Sequence, residues 1–363
     1  MLTSLAVRGF KSLREVEPLK LKPLTLFFGP NGAGKSNLID AVLLLSQIAR
    51  SRRLSEAFEG PIRGLPLEQF SFPSGLGLPG LLAQKKGTFR FEAGLALGAE
   101  ELHFAIEVAI APASGSLTIE ALEPTEGPAA TRARALLSSF RSYYLDPRTA
   151  MRSSQPPKDV DDIGPLGENL APFLYRLAAE EPAAFAAVRR TLKTLIPSID
   201  DLQVDLDPRR GVLDIEIRQA GAPFSARLVS EGTLRVLALI CAVVNPWGGP
   251  VIAFEEPENG VHPRRIELIA KIFGSLLNRR DSPRQVILTS HSPHFCAAIL
   301  ALAREKPEQV ALYRTLRDGD GTRFLPFATR GALLDSGAIE NGLEDLSEDR
   351  LLEDWMLRGF LDG

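Results

Sequence analysis

The stretch that decides the fold is "LTLFFGPNGAGKS", residues 24–36, in which a short apolar run leads directly into a glycine-rich segment. Its last eight residues match G-x-x-x-x-G-K-[ST], the pattern of a phosphate-binding loop between a strand and a helix. The three glycines permit the tight turn that aims backbone N–H groups at phosphate oxygens. Residues 36–49 have a helical length and are apolar on nearly all sides, so we expect a helix packed on several faces. The stretch predicts a P-loop in an α/β fold.

Each residue of this loop has an expected part in holding a nucleotide. Lys35 is expected to contact the outer phosphates, and the hydroxyl of Ser36 is expected to bind Mg²⁺. The helix that begins near Lys35 adds the positive end of its dipole. A nucleotide and Mg²⁺ are therefore the predicted ligands of this loop. The predicted nucleotide-binding residues of the loop are Gly29, Pro30, Asn31, Gly32, Ala33, Gly34, Lys35, Ser36 and Asn37.

Two adjacent carboxylates end a second apolar run, in "VIAFEEPENGVHP" at residues 251–263. Mg²⁺ needs a carboxylate near its water shell, and an attacking water needs a positioned base. We assign Glu255 to the metal side and Glu256 to the water, while an exposed acidic turn is the alternative interpretation. Pro257 follows at once and is expected to end the strand.

Two further segments carry polar residues at the ends of predicted elements. In "LVSEGTLRVLALICAVV", Ser230 and Gly232 stand just before an apolar helix. Ser230 is expected to cap that helix, and the same helix end is also expected to bind the γ-phosphate of a nucleotide held by another copy of the chain. In "VILTSHSPHF", His291 follows a buried strand. It is interpreted as a sensor of the γ-phosphate, with a purely structural role as the alternative.

Composition is that of an ordinary globular protein, with 363 residues, 45% hydrophobic and 24% charged. A formal net charge of −3 excludes a global basic field for nucleic acid, although a local basic patch stays open. Cys241 and Cys296 lie in apolar runs without a C-x-x-C partner, which favours buried thiols in a reducing compartment. The start of the sequence lacks a signal-peptide pattern, and no apolar run approaches the roughly 18 residues of a membrane span. We expect a cytoplasmic protein without a membrane partner.

The predicted strands are divided between the two ends of the chain. Continuously apolar runs at 24–28, 251–254 and 285–289 indicate a mostly parallel sheet that is covered on both faces. Between these runs, residues 87–122 predict antiparallel strands at hairpin spacing, and residues 167–196 predict two helices.

These patterns predict one domain over residues 1–363. Its core is expected from residues 1–60 and 226–363, and residues of about 61–225 form an inserted β-hairpin and helical lobe. Near the end, "LRDGDGTRF" predicts a hairpin turn, and "SEDRLLEDWMLRGFL" at 347–361 predicts an amphipathic helix.

Five segments, in a fixed order, resemble those of one family: "VRGFKSL", the P-loop, "SEGT", "FEEPENGVHP" and "TSHSP". The chain resembles the ABC-type ATPases that include RecF, the SMC proteins and the ATPase domain of OLD (overcoming lysogenization defect) proteins. Within that group it is most similar to the standalone bacterial "AAA family ATPase" branch. "YYLDPRTAMR" and "GENLAPFL" are similar as well. The resemblance implies a P-loop NTPase of the ABC-type ATPase head fold, with a mostly parallel core sheet, an antiparallel β subdomain and a helical insertion.

The resemblance also implies a head-to-tail homodimer around two ATP molecules, each completed by Ser230 and Gly232 of the other copy. It gives Lys35 and Ser36 the Walker A roles, Glu255 and Glu256 the Walker B roles, and His291 the role of the switch. Gln69, in "LEQFSFPSG", is a loose match to the glutamine that couples Mg²⁺ to the insertion. The signature of RecF proper, the coiled coils of zinc-hook ATPases and the nuclease domain of OLD proteins are not seen.

Three functions follow from this resemblance. The first is an ATP-driven conformational switch that acts on DNA or on a partner effector, in DNA repair or phage defence. The second is a RecF-like DNA-binding repair factor that uses ATP as a clamp. The third is the ATPase subunit of a toxin or defence system whose nuclease is a separate chain. The arginine pairs that DNA would contact, if they are more than solvated surface charge, are Arg52-Arg53, Arg209-Arg210 and Arg279-Arg280.

Overall fold

The structure is a computed structural model that describes residues 1–60, 62–98, 100–278 and 284–327, apart from the side chain of Arg264. The predicted C-terminal amphipathic helix lies outside these residues, and so does the Arg279-Arg280 pair. Within the described part of the chain, no helix is long and apolar enough to cross a membrane.

Fourteen strands and eight α-helices are described. The strands are β1 (Leu2–Phe10), β2 (Leu13–Lys20), β3 (Leu24–Phe28), β4 (Gly87–Leu97), β5 (Glu100–Ala111), β6 (Ser116–Glu123), β7 (Arg141–Tyr143), β8 (Ile199–Asp207), β9 (Val212–Gln219), β10 (Ala222–Ser225), β11 (Val251–Glu255), β12 (Gln285–Ser290), β13 (Val310–Asp318) and β14 (Gly321–Pro326). The helices are α1 (Lys35–Arg50), α2 (Gly77–Leu82), α3 (Gly127–Ser138), α4 (Leu170–Glu180), α5 (Pro182–Leu195), α6 (Glu231–Val244), α7 (Pro263–Leu276) and α8 (Pro293–Glu305).

The chain divides into two compact units. Among the described residues, the first comprises 1–142, 250–253 and 284–327, and the second comprises 143–249 and 254–278. The expected single domain, with a core from both ends of the chain and a lobe in between, stays a prediction.

A six-stranded sheet in the order β14-β13-β3-β12-β11-β7 carries the P-loop strand. β3 is parallel to both of its neighbours, since Leu24 is in register with Val286 of β12 and with Val310 of β13. All residues of β3 and of β12 are buried, as continuously apolar strands covered on both faces should be. The prediction of a mostly parallel core sheet is confirmed.

The first unit also contains the predicted antiparallel strands. These strands, β4 to β6, form a five-stranded sheet together with β1 and β2, in the order β2-β1-β4-β5-β6, and buried and partly exposed residues alternate along β4. Its buried face contributes an aromatic cluster, where the ring of Phe10 lies edge-on to Phe89 at 5.7 Å and to Phe91 at 5.3 Å. Aromatic pairs in such edge-to-face geometry add to the stabilisation from buried area.

The second unit contains more helix than strand. It contains α4 to α7 and a three-stranded antiparallel sheet in the order β10-β9-β8. α6 is its central element, because nearly all of its apolar side chains are buried, as the apolar pattern predicts. Cys241 on α6 is buried, and burial raises the pKa of its thiol. Cys296, in the first unit, is buried as well, so both cysteines are the apolar residues that the sequence predicts.

Candidate functional site

The P-loop connects β3 to α1, as predicted, and its shape depends on three glycines. Gly29, Gly32 and Gly34 have φ angles of 151°, 80° and 106°, in the region that residues with a side chain avoid. Two of them also approach neighbouring atoms closely. A Cβ on Gly29 would lie 2.3 Å from the carbonyl oxygen of Thr315, and one on Gly34 would lie 2.0 Å from the hydroxyl of Thr322. The loop therefore tolerates only glycine at these two places.

This loop presents hydrogen-bond donors. Among the described residues, the backbone N–H groups of Asn31, Gly32 and Gly34 have no hydrogen-bond acceptor. The ammonium group of Lys35 lies against the loop and donates to the carbonyl oxygens of Gly29 at 2.7 Å and of Pro30 at 2.9 Å. N–H groups at the start of a long helix, together with a lysine, form an anion-binding site.

A polar network of three side chains supports the loop, and no sequence pattern predicts it. The hydroxyl of Thr322, in β14, donates to the carbonyl oxygen of Ala33 at 2.9 Å and lies 2.7 Å from the hydroxyl of Ser12. Asn37 donates from its side-chain amide to the same Ser12 hydroxyl at 2.7 Å. The turn after β1 and the β13–β14 hairpin thus both hold the P-loop. The prediction of a hairpin at "LRDGDGTRF" is confirmed.

A cavity of about 600 Å³ adjoins this network in the first unit. Its size is within the range of small-molecule sites. Lys11 and Arg63 border it, and both bind the buried carboxylate of Asp40, at 2.6 Å and 3.1 Å. Burial lowers the pKa of Lys11, because desolvation of its ammonium outweighs the attraction of Asp40. The lining residues are Lys11, Ser12, Arg14, Arg63, Gly64, Glu68, Phe70, Phe72, Pro73, Gly75, Gly77, Arg317 and Asp320.

Gln69, the predicted metal-coupling glutamine, is buried beside this cavity. Its amide nitrogen donates to the carbonyl oxygens of Arg63, Gly64 and Leu65, at 2.9, 3.1 and 3.2 Å. Its amide oxygen has no hydrogen-bond partner among the described residues. The amide therefore holds the loop of residues 63–65, and its predicted part in metal binding stays a prediction.

His291 follows β12 directly, as predicted. The preceding residue, Ser290, accepts a 3.3 Å hydrogen bond from the N–H of Gly29 at its carbonyl oxygen, which places the end of β12 against the first P-loop residue. After His291, the hydroxyl of Ser292 caps α8 by accepting from the N–H of Phe295. His291 is therefore one residue away from a backbone hydrogen bond to the P-loop. Its role as a sensor of the γ-phosphate stays a prediction.

The paired carboxylates belong to the second unit. Glu255 is the last residue of β11 and is buried, so the acidic pair is not simply an exposed turn. Glu256 leaves the strand with a φ of 46°, an uncommon value for a residue with a side chain. The side-chain amide of Asn259 donates to Oε2 of Glu256 at 2.6 Å. A strained residue with an oriented carboxylate is typical of a functional position.

The start of α6 confirms the capping prediction. The side-chain oxygen of Ser230 accepts a 3.2 Å hydrogen bond from the N–H of Thr233. Gly232 packs on the loop after the paired carboxylates, since a Cβ at this position would lie 2.6 Å from the carbonyl oxygen of Gly260. The contact of Ser230 and Gly232 with a nucleotide of another copy stays a prediction.

The "YYLDPRTAMR" segment, in the same unit, holds the residues that precede α6. Arg152 donates to the carbonyl oxygens of Ala226 at 3.2 Å and Val229 at 2.7 Å, and also to that of Arg227. Arg148 pairs with the carboxylate of Glu231 at 3.2 Å, although both side chains are exposed. This segment is one of those that resemble the family. The sequence does not predict that its Arg152 holds residues 226–229.

A comparison with protein families identifies the chain. The family described as "AAA domain, putative AbiEii toxin, Type IV TA system" matches residues 113–297, which is half of the sequence. The chain belongs to this AAA domain family. A second AAA domain family matches residues 4–67, which include the P-loop.

One curated relative and two solved structures extend the comparison. A stretch of 77 residues of this AAA domain is 39% identical to "DNA replication and repair protein RecF" from Anaeromyxobacter sp. (strain Fw109-5), covering 20% of this chain and 21% of that protein. The chain thus matches about a fifth of the length of this relative.

The solved structures are both SMC heads. "Crystal structure of the SmcHead bound to the C-winged helix domain of ScpA" is 15% identical with a TM-score of 0.61, and covers 90% of this chain and 98% of that chain. An Smc head domain with an extended coiled coil, bound to the C-terminal domain of ScpA from Pyrococcus furiosus, is 14% identical with a TM-score of 0.57, and covers 95% and 99%. These likenesses show the fold. The two AAA domain families, the stretch similar to RecF and this shared fold together confirm the resemblance to the ABC-type ATPases of the RecF/SMC-like group.

Proposed function

We propose that this AAA domain binds and hydrolyses ATP and works as a conformational switch, in which two copies close head to tail around two nucleotides. The observation that carries the proposal is the P-loop, with its left-handed glycines, its N–H groups of Asn31, Gly32 and Gly34, and Lys35. Phosphoryl transfer depends almost entirely on positioning and on charge stabilisation, which such a loop supplies.

The oxygen atoms that the chain can offer as ligands are suitable for the Mg²⁺ ion that accompanies ATP. The described residues contain no group of three or more His, Cys, Asp or Glu side chains that could hold a metal alone. Mg²⁺ does not need one, because it keeps several waters and takes one or two protein ligands beside the phosphates of its substrate. Ser36 and Glu255 would supply those oxygens. The bound ion would neutralise charge on the phosphates.

Glu256 is the proposed general base. Its carboxylate follows β11 directly and is already oriented by Asn259. A positioned carboxylate can accept the proton of the attacking water. Lys35 would stabilise the charge that develops on the transferred phosphoryl group. His291, one residue beyond the β12 end that contacts Gly29, is the proposed sensor of the γ-phosphate.

The second copy is proposed to contribute Ser230 and Gly232. These residues start a 14-residue helix, and the N-terminus of a helix carries partial positive charge toward an anion. Each ATP site would then be complete only in the dimer. Loss of the γ-phosphate would remove the contact that joins the copies, so hydrolysis would open the dimer.

Phosphate release from Mg-ATP by the purified full chain tests the enzymatic part. Glu256→Gln is expected to lower kcat by about 100-fold or more, since it removes the base at nearly constant shape. Glu267→Gln, at an exposed position on α7 in the same unit, is the matched control and is expected to keep the wild-type rate. A wild-type rate for Glu256→Gln would show that Glu256 is not the base.

Light scattering tests the dimer. The Glu256→Gln variant is expected to be dimeric in Mg-ATP and monomeric in Mg-ADP, because bound ATP is no longer consumed. A second substitution, Ser230→Arg, is expected to prevent dimers by placing a bulky side chain at the start of α6. If the Glu256→Gln variant stays monomeric in Mg-ATP, closure of a dimer around the nucleotide is wrong.

DNA as the target is supported by the stretch that is similar to RecF. Arg52, Arg53, Arg209 and Arg210 are exposed and would be available to phosphates. Binding through phosphate contacts falls steeply with salt. Duplex DNA is therefore expected to stimulate phosphate release at low salt and to lose that effect at physiological salt.

A partner effector is supported by the family description, which names a toxin of a Type IV toxin–antitoxin system. Under this alternative the ATP cycle would act on a separate protein chain. A basal rate of phosphate release that does not respond to duplex DNA at either salt concentration favours this alternative over a DNA-sensing ATPase.

A further inference from the structure

Asn259 makes two hydrogen bonds to one residue, Glu256. Its side-chain amide donates to Oε2 of Glu256 at 2.6 Å, and its backbone N–H donates to the carbonyl oxygen of Glu256 at 3.1 Å. The second bond closes a turn around Pro257, and this turn brings the amide back to the carboxylate. Glu256 itself has a φ of 46°. Such a conformation persists only where surrounding contacts hold it.

We infer that Asn259 is a positioning residue for the catalytic carboxylate, an inference that rests on the proposed function of Glu256. A neutral amide that donates to one carboxylate oxygen fixes the rotamer without competing for the proton that the base must accept. A displacement of a catalytic group by about 1 Å can cost about two orders of magnitude in rate.

The identity of the residue matters for this task. Aspartate has the same shape as asparagine, but it carries no donor at neutral pH and would place a second negative charge beside Glu256. Two carboxylates at this distance disfavour each other's ionised forms. Alanine would leave Oε2 without the amide and allow the carboxylate other rotamers. Asn259→Asp is therefore expected to be at least as harmful as Asn259→Ala.

The turn that carries Asn259 is also fixed from outside. Gly232, at the start of α6, lies so close to Gly260 that a Cβ would come within 2.6 Å of the Gly260 carbonyl oxygen. Next along the chain, the N–H of Val261 donates to the carbonyl oxygen of Glu258 at 3.0 Å. The start of α6 is thus packed against the turn of residues 256–260 within the second unit. This packing holds the turn, and Asn259 in the turn orients the carboxylate of Glu256.

Steady-state phosphate release by the full chain, across ATP concentrations, tests the inference. Asn259→Ala and Asn259→Asp are expected to lower kcat by about ten-fold or more, with the KM for ATP unchanged within about two-fold. A residue that served only to keep the fold would not separate kcat from KM in this way. Asn259→Gln keeps the amide on a longer chain and is expected to recover part of the lost rate.

A double-mutant cycle adds the second readout. If Asn259 acts through Glu256, Asn259→Ala is expected to have no further effect in a Glu256→Gln chain, whereas independent residues would add their losses. A kcat for both Asn259 variants equal to or above that of the wild type, beside an impaired Glu256→Gln, overturns this inference and leaves the proposed function standing. Normal turnover by Glu256→Gln overturns the assignment of the base, and this inference with it.

Discussion

The hydroxyl of Thr322 donates a 2.9 Å hydrogen bond to the carbonyl oxygen of Ala33, so a residue of the last described strand holds the centre of the P-loop. Thr322 is buried, and its oxygen also lies 2.7 Å from the hydroxyl of Ser12. A single hydroxyl therefore connects three parts of the chain at the point where a nucleotide is expected.

Replacement of Thr322 by valine tests this support of the P-loop. Valine keeps the volume but leaves the Ala33 carbonyl and the Ser12 hydroxyl without this partner. Loss of a buried partner costs about 1–3 kcal/mol of stability. We expect a lower melting temperature. We also expect the KM for ATP to rise by about 3-fold to 10-fold, because we expect nucleotide binding to weaken by about 1 kcal/mol. Thermal unfolding and ATP titration check the two expectations.

Thr131→Val is the matched control for that experiment. Thr131 is exposed on α3, where its hydroxyl donates to the carbonyl oxygen of Gly127 at 3.2 Å. Its replacement is expected to change neither measurement. If Thr322→Val binds ATP as the wild type does, the hydroxyl does not set the shape of the loop.

Gly232→Ala tests the packing of α6 on the turn after the paired carboxylates. The added Cβ would lie 2.6 Å from the Gly260 carbonyl oxygen, and a backbone atom cannot yield as the end of a side chain can. Overpacking of this kind costs about 1–3 kcal/mol. We expect a lower unfolding midpoint in urea in the absence of nucleotide, together with a lower kcat.

An unchanged midpoint combined with loss of the proposed ATP-dependent dimer would contradict this expectation. Gly232 would then have a role in contacting the nucleotide of another copy and no role in packing α6. Both effects together would show that the residue has the packing role and the predicted role in the dimer.

The sequence predicted the parts of this protein that are local in the chain. The P-loop, the apolar helix α1, the continuously buried strands and the capping role of Ser230 each depend on a few neighbouring residues, and each was found. Thr322 and Asn259 were missed for different reasons. Thr322 meets Ala33 across 289 positions, and a lone threonine in a hairpin carries no pattern that predicts such a contact.

Asn259 is only three positions from Glu256, so distance did not hide it. Its contact depends on the left-handed backbone of Glu256, a conformation that a sequence pattern does not predict for a glutamate. Gly232 illustrates a third case. It was assigned to a nucleotide from its motif, while its close approach to Gly260 appears only once the two segments are folded together.

Arg152→Met tests whether Arg152 holds residues 226–229, which precede α6. Arg152 donates to the carbonyl oxygens of Ala226, Arg227 and Val229, and methionine keeps most of its length without any donor. Hydrogen bonds from a charged donor contribute about 1.5–3 kcal/mol. We expect faster hydrogen exchange at residues 226–229 and a lower melting temperature.

Arg148→Met is the comparison for that variant. Arg148 is 77% exposed and pairs with the exposed carboxylate of Glu231, and such surface pairs contribute about 0–1 kcal/mol. Its exchange rates are expected to stay close to those of the wild type. Equal effects of the two substitutions would show that the backbone contacts of Arg152 are not what holds the segment.

Asp146 gives a prediction about acid stability. Burial alone would raise the pKa of its carboxyl, but hydrogen bonds from the Thr149 hydroxyl and from the backbone N–H groups of Thr149, Arg148 and Ala150 together lower it below the ordinary value of 3.8. The folded state therefore prefers the ionised carboxylate. Its stabilising contribution is fully present above pH 3.8 and is lost as the pH falls through the lower pKa of the folded state.

Asp146→Asn removes this titration while keeping the shape of the side chain. We expect the variant to be less stable than the wild type at pH 6, and we expect the difference in unfolding free energy to shrink as the pH falls below about 4. Urea unfolding at a series of pH values measures that difference. A difference that stays constant down to pH 3 would mean that the Asp146 carboxylate is not held in its ionised form by the turn that follows it.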